Sequence, residues 1–213
     1  MLSRPFFSVV LTTYNRKDFI LRALNSLIQQ DSEDWEAILI DDGSEDQTHS
    51  LIEHLLQENS RIQYVYQKNQ GFEQAKNKGI SLGNGEYITF LDSDDEYLTN
   101  HLSSRKEILT NRPVDFLHGG VRIIGSPLVP DLYHPGKTIH LSECAIGGSF
   151  FIKSEKLKIL KGFRQKGLGA DADLLQRAIE NNFDILKIEN PKTYIYHRSH
   201  PDSLTHYALQ KRN

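Results

Sequence analysis

Apolar and polar positions follow two alternating rhythms through the first ninety residues. Residues 6–12, predominantly apolar with Ser8 and Thr12 as the polar members, read as a buried first strand. Residues 17–30 then place Phe19, Ile20, Ala23, Leu24, Leu27 and Ile28 at helical spacing. The cycle repeats with a strand over 36–40, a helix over 46–57 carrying Leu51, Ile52, Leu55 and Leu56, and a strand over 62–66. A helix over 71–82 with Phe72, Ala75, Gly79 and Leu82 along one side leads through Gly83-Asn84-Gly85 into a strand over 86–91. Strands and helices alternating with short connections predict an α/β fold: a mostly parallel central sheet with right-handed crossovers, flanked by helices.

The second half is less regular. A helix is expected over 98–110, stopped by Asn111-Arg112-Pro113, and one or two short strands over 115–124, broken by Gly119-Gly120. Residues 125–143 hold Pro127, Pro130, Pro135 and Gly136 without a clear period and read as a long loop or hairpin. A buried strand over 146–152, a short helix to residue 160, a glycine-bearing loop over 162–170, a helix over 171–182 and strands over 185–188 and 193–197 complete the expectation. The chain is read as one domain, 1–213, with a regular half (1–98) and an irregular one (99–213).

Composition narrows the class. The chain has 213 residues, 38% of them hydrophobic, and a net charge of −3. No global basic field exists to attract nucleic acid. No apolar run approaches the ~20 residues that span a bilayer, and the first residues lack the layout of a signal peptide. One cysteine, Cys144, excludes an internal disulfide and suggests a reducing cytoplasm. The stretch from His197 onward is locally basic, with Arg198, His200, His206, Lys211 and Arg212 against Asp202, which would suit an anionic ligand or a membrane surface.

Three strand ends carry polar clusters: Thr12-Thr13-Tyr14-Asn15, Asp41-Asp42 and Asp92-Ser93-Asp94-Asp95. Singly, each reads as a turn or helix cap. Together, they gather at the carboxyl edge of one sheet, where open α/β folds bind ligands. Carboxylates there suit ribose hydroxyls and a base N–H, Tyr14 offers a ring to stack on, and Asp94 can hold a divalent cation bridging two phosphates. The set suits a nucleoside diphosphate. Neither Gly-x-Gly-x-x-Gly nor a P-loop is present, so the metal must do more of the phosphate binding.

Ser8-Val9-Val10-Leu11-Thr12-Thr13-Tyr14-Asn15-Arg16, Ile40-Asp41-Asp42-Gly43-Ser44, Ala75-Lys76-Asn77-Lys78-Gly79 and Phe90-Leu91-Asp92-Ser93-Asp94-Asp95 resemble, in order and at similar spacing, the successive signatures of family 2 glycosyltransferases with the GT-A (nucleotide-diphospho-sugar transferase) fold. The resemblance implies transfer of a sugar from a nucleotide-sugar, most often UDP-linked, with inversion and with Mn²⁺ or Mg²⁺, to a saccharide or lipid-linked acceptor. It divides the domain into a nucleotide-sugar-binding half and an acceptor-binding, catalytic half. It assigns Thr12, Tyr14 and Asp42 to the nucleobase, with Asp41 able to take part, Asp92 to the ribose and Asp94 to the metal. Asp95 becomes a supporting group. Lys76 stands where the family commonly has arginine, and Asn77 matches the family's asparagine. Gly169-Ala170-Asp171-Ala172-Asp173 resembles the family's Glu-Asp segment, with Ala170 in place of the glutamate. Asp171 falls on the catalytic base, Asp173 is its competitor, and the plain alternative makes Asp171 a helix N-cap. Arg198-Ser199-His200-Pro201-Asp202-Ser203 resembles the family's Arg-x-His-x-x-Ser element, whose basic groups close over the diphosphate, assigning Arg198 and His200, with His197 and Lys211 behind them.

Three rivals remain open on sequence: a nucleotidyltransferase that makes nucleotide-sugars, a phospho-acceptor receiver domain, and a non-catalytic sugar-nucleotide binder. The receiver leaves the second half without a place. The nucleotidyltransferase calls for a glycine- and Arg/Lys-rich first loop, which Thr12-Thr13-Tyr14-Asn15 does not supply.

Overall fold

A computed structural model describes residues 4–131, 134 and 136–198. A seven-stranded sheet runs through the centre. It is built from β1 (Phe7–Thr13), β2 (Trp35–Asp41), β3 (Ile62–Tyr66), β4 (Tyr87–Asp92), β6 (Phe116–Gly119), β10 (Phe151–Lys153) and β11 (Ile185–Ile188). Their order across the sheet is β11-β6-β10-β4-β1-β2-β3. Only β10 runs against its neighbours. The sheet therefore draws strands from both halves of the chain, and β10 joins them directly to β4. β5 (Glu96–Tyr97), β12 (Tyr194–Arg198) and β7 (Val121–Gly125) form a second, three-stranded sheet, and β8 (Leu128–Pro130) pairs with β9 (Thr138–His140) as a ribbon.

Side chains that alternate along β1 explain the layers. Val9 and Leu11 enter a core with α1 (Ile20–Ile28), α2 (Thr48–Glu58) and α4 (His101–Asn111) through Leu24, Leu27, Ile52 and Leu102. Val10 enters the opposite core with Phe90, Phe116 and Phe150, against α5 (Ser154–Leu160) and α6 (Ala170–Glu180) through Leu157, Leu174 and Ala178. α3 (Phe72–Leu82) lies against β1 and β2. A Cβ at Gly79 would fall 2.4 Å from Val10 Cγ1, so glycine is what lets this helix approach the sheet so closely.

Register fixes the site. Thr13 pairs with Asp41, and Thr12 with Asp92. The polar ends of three parallel strands are therefore level, and the turns beyond them emerge at one edge. The region read as a strand over 146–152 is instead a 3-10 turn at Gly147–Ser149 followed by the three residues of β10. A Cβ at Gly148 would lie 1.9 Å from the Tyr194 hydroxyl, so the backbone passes too close to β12 for an ordinary strand residue.

Candidate active site

A cleft of about 780 Å³ opens at that sheet edge. Its lining includes Thr12, Tyr14, Asp42, Asp92 and Asp94 from the first half of the chain and Gly147, Asp171 and Leu175 from the second. Tyr14 is 47% exposed, which leaves its ring open to stacking. Thr12, Tyr14, Asp42, Lys76, Asp92, Asp94 and Asp171, expected from the sequence to act together, are brought together here.

Asp42 is buried, and it holds the start of α3. Its Oδ1 accepts from Gln67 Nε2 (2.7 Å) and the Gln70 N–H (2.9 Å), and its Oδ2 from the Gly71 N–H (2.8 Å). Asp41 lies outside the cleft lining. Its oxygens accept from the Ser44 N–H and the Tyr64 hydroxyl, both at 2.8 Å, so it stabilises the turn after β2. The Asp94 carbonyl accepts from Arg22 Nη2, tying the acidic turn to α1. Asp95 is fully buried behind the turn. It accepts from the Tyr194 hydroxyl (2.6 Å) and the His197 N–H (2.8 Å), linking the end of β4 to β12. Burial, then the charges of Asp94 and Asp92, push its carboxyl well above the usual range.

Lys76 interacts with both Asp92 and Asp171. It is 5% exposed, its Nζ lies 3.0 Å from Asp92 Oδ1, and the rings of Phe72, Phe90 and Phe163 stand 5.4–5.9 Å away. Burial opposes its charge, but Asp92, Asp171 and Asp95 more than offset this, and its pKa is raised. Its ammonium is thus committed to the carboxylates of the chain itself.

Asp171 is the second residue of α6. The N-cap is Gly169, in the left-handed region at φ 106°, so Asp171 is not the cap. Its Oδ2 instead accepts from the Gly147 N–H at 2.9 Å. A Cβ at Gly147 would sit 2.3 Å from Asp171 Oδ1. Burial raises the Asp171 pKa above its ordinary value, Lys76 opposes this, and Asp92 adds to it. A cleft carboxylate with a raised pKa meets one requirement of a general base. Asp173 is engaged elsewhere, accepting from Arg177 Nε at 2.7 Å.

The structure places Arg198 away from the cleft lining. Its Nη1 donates to the carbonyls of Ser126 and Leu128, bracing the chain that enters β8. To reach a diphosphate it would have to give these up. His200 lies outside the described residues, as does Lys211. His197 lines the cleft, with Nε2 2.9 Å from Glu96 Oε1. Trp35 is a core residue, whereas Cys144 is half-buried in the cleft wall.

Among the described residues, no three His, Cys, Asp or Glu side chains converge to enclose a cation. The donors present at the strand end, Asp94 beside Asp92, are hard oxygens. They fit Mg²⁺ or Mn²⁺ bound through one or two carboxylates, with phosphate oxygens and water completing the shell. Two residues to which the sequence motifs give no role matter here. Gly147 could have been suspected, because a Gly-Gly pair inside an apolar run marks a close approach. Glu73 gave no signal, because its partners lie more than ninety residues away.

Comparison with known proteins agrees with this layout. The family model described as Glycosyl transferase family 2 matches residues 8–166. A putative teichuronic acid biosynthesis glycosyltransferase, TuaG, from Bacillus subtilis is 32% identical over 136 residues, which are 62% of this chain and 54% of the relative. A GalNAc(5)-diNAcBac-PP-undecaprenol beta-1,3-glucosyltransferase from Campylobacter jejuni is 40% identical over 102 residues, 47% of this chain and 33% of that protein. The chain thus spans about half or less of the length of these relatives. In structure it is similar to S. aureus TarS 1-349 in complex with UDP-GlcNAc, with a TM-score of 0.78 at 22% identity, covering 93% of this chain and 60% of that one. It is also similar to the mannosyltransferase PcManGT from Pyrobaculum calidifontis in complex with GDP-Man and Mn²⁺, with a TM-score of 0.73 at 17% identity, covering 99% and 61%. The fold is GT-A, and the chain belongs to glycosyl transferase family 2.

Proposed function

We propose that this domain transfers a sugar from a nucleotide-sugar, UDP-linked, to a hydroxyl of a saccharide or lipid-linked acceptor, with inversion and with a divalent cation. The observation that carries this reading is the single cleft lined by Thr12, Tyr14, Asp42, Asp92 and Asp94 together with Asp171. The nucleobase stacks on Tyr14 beside Thr12 and Asp42, and Asp92 takes the ribose. Asp94 holds the cation, which supplies positive charge to the leaving diphosphate. Asp171 accepts the proton of the acceptor hydroxyl as the new C–O bond forms at the anomeric carbon and the bond to the diphosphate breaks. His200, and Arg198 once released from its carbonyls, are the cations that the family resemblance assigns to the leaving group. UDP-GlcNAc in TarS and an undecaprenol-linked acceptor for the Campylobacter relative support these substrate classes. The proposed setting is the cytoplasm, with the inner membrane face as the station for a lipid-linked acceptor.

The test is a thermal-shift panel of UDP, GDP, CDP and dTDP with and without Mn²⁺, followed by hydrolysis of the matching nucleotide-sugars. UDP should give the largest shift, and only with metal. No shift with any nucleotide would remove the reading, and pyrophosphate release from a nucleoside triphosphate would replace it with nucleotidyl transfer.

A further inference from the structure

The segment that delivers Asp171 is rich in positions that do not hold a backbone firmly. Residues 161–169 contain four positions in the left-handed region, Lys161, Gly162, Gly167 and Gly169. A general base must be held to a fraction of an ångström, and a loop of this composition cannot do that alone. From the α6 side, Arg177 Nη1 and Nη2 donate to the carbonyls of Leu160 and Gly162, fixing the start of the loop. The remainder is held by α3.

Three residues on one face of α3, Glu73, Lys76 and Asn77, stand at i, i+3 and i+4. Asn77 makes a two-point contact with the backbone of Phe163: Oδ1 accepts from its N–H and Nδ2 donates to its carbonyl, both at 2.8 Å. Glu73, 7% exposed, accepts with one oxygen from two consecutive amides, Lys166 N (3.0 Å) and Gly167 N (2.8 Å). Between them Lys76 lies beside the Phe163 ring. The same helix begins at the Gln70 and Gly71 amides held by Asp42. One rigid element thus runs from the Asp42 anchor to the loop that leads into α6 and Asp171.

We propose that Glu73 and Asn77 are positioning residues for Asp171, latching the 162–169 loop to the helix that lines the donor site. The proposal rests on the assignment of Asp171 as base. It also assigns the contact geometry of Glu73, rather than its charge, to the task. Glu73→Gln and Glu73→Ala both remove the charge, but only Gln keeps an oxygen able to accept from the two amides.

Steady-state transfer is measured for the parent, Glu73→Gln, Glu73→Ala and Asn77→Ala, with UDP affinity by calorimetry as the check on folding. Glu73→Ala and Asn77→Ala should lower kcat ten- to a hundredfold while UDP affinity stays within about twofold, and Glu73→Gln should recover most of the loss. Glu73→Gln as impaired as Glu73→Ala, or kcat unchanged in both alanine variants, overturns the proposal. Amide exchange in the parent and in Glu73→Gln and Glu73→Ala supplies a second reading that needs no turnover. Lys166 and Gly167 should exchange at least tenfold faster in the alanine variant and at parent rates in the glutamine variant. Equal exchange in all three overturns the latch. If the parent itself turns over no nucleotide-sugar, the glycosyltransferase reading fails while the exchange result still stands.

Discussion

Replacing Lys76 with methionine isolates the electrostatics of the site. Methionine keeps a long, flexible apolar stem among Phe72, Phe90 and Phe163, so packing is largely preserved. The loss is the positive charge 3.0 Å from Asp92, where the lysine and aspartate side chains are 6% and 31% exposed. Removing one partner of a buried pair costs about 3–5 kcal/mol. Water reaches Asp92 and relieves part of this, so about 2–3 kcal/mol is expected, a fall in Tm of roughly 4–12 °C for a domain of this size. Linkage sets the sign with pH. Without Lys76 the folded pKa of Asp171, already raised by burial and now without the opposing ammonium, moves further up. The folded state then binds protons more tightly, so the deficit is full at neutral pH and shrinks as pH falls through that raised value. Calorimetric scans at pH 7.5 and 5 measure this. An unchanged Tm at pH 7.5, or an equal deficit at both pH values, would refute the reasoning.

Other expectations use the same geometry. Gly147→Ala places a methyl 2.3 Å from Asp171 Oδ1 and should displace the carboxylate, lowering kcat at least tenfold with UDP affinity kept; wild-type turnover would show that the contact is not needed. Because burial raises the Asp171 pKa, the acid limb of the pH profile of kcat/KM should lie above the ordinary aspartate value of about 4, activity being lost as pH falls through it. Asp94→Ala should abolish the Mn²⁺ dependence of UDP binding seen by calorimetry, and a dependence that survives removes Asp94 as the metal group.

The parallel half of the fold was legible because buried strands leave continuous apolar runs. β3 at Ile62–Tyr66 and β11 at Ile185–Ile188 coincide with the stretches read as strands, although both are partly exposed edge strands interrupted by Gln63 and Lys187. β5 was not legible, since its two residues are ordered by partners distant in sequence, β12 and the Ser26 hydroxyl of α1. The polar strand ends could be read as one site, because parallel strands in register bring their ends level. The contacts of each carboxylate could not be read. Asp41 and Asp42 are neighbours with the same side chain, yet one serves its own turn and the other lines the cleft. Arg198 carries the charge expected beside a phosphate, but its Nη1 donates to two backbone carbonyls, which no sequence pattern announces. Ala170, standing where the family's glutamate is common, is 2% exposed and packs with the α6 core, which leaves Asp171 as the acid at the mouth of that helix.

The division of labour across the cleft is tested most directly by Asp171→Asn, assayed in parallel for UDP binding and for sugar transfer. Asparagine keeps an oxygen for the Gly147 amide but cannot take a proton at neutral pH. The variant should bind UDP and Mn²⁺ as the parent does while kcat falls by about 10²–10⁴. Transfer at the parental rate, or loss of UDP binding in step with activity, would contradict the account.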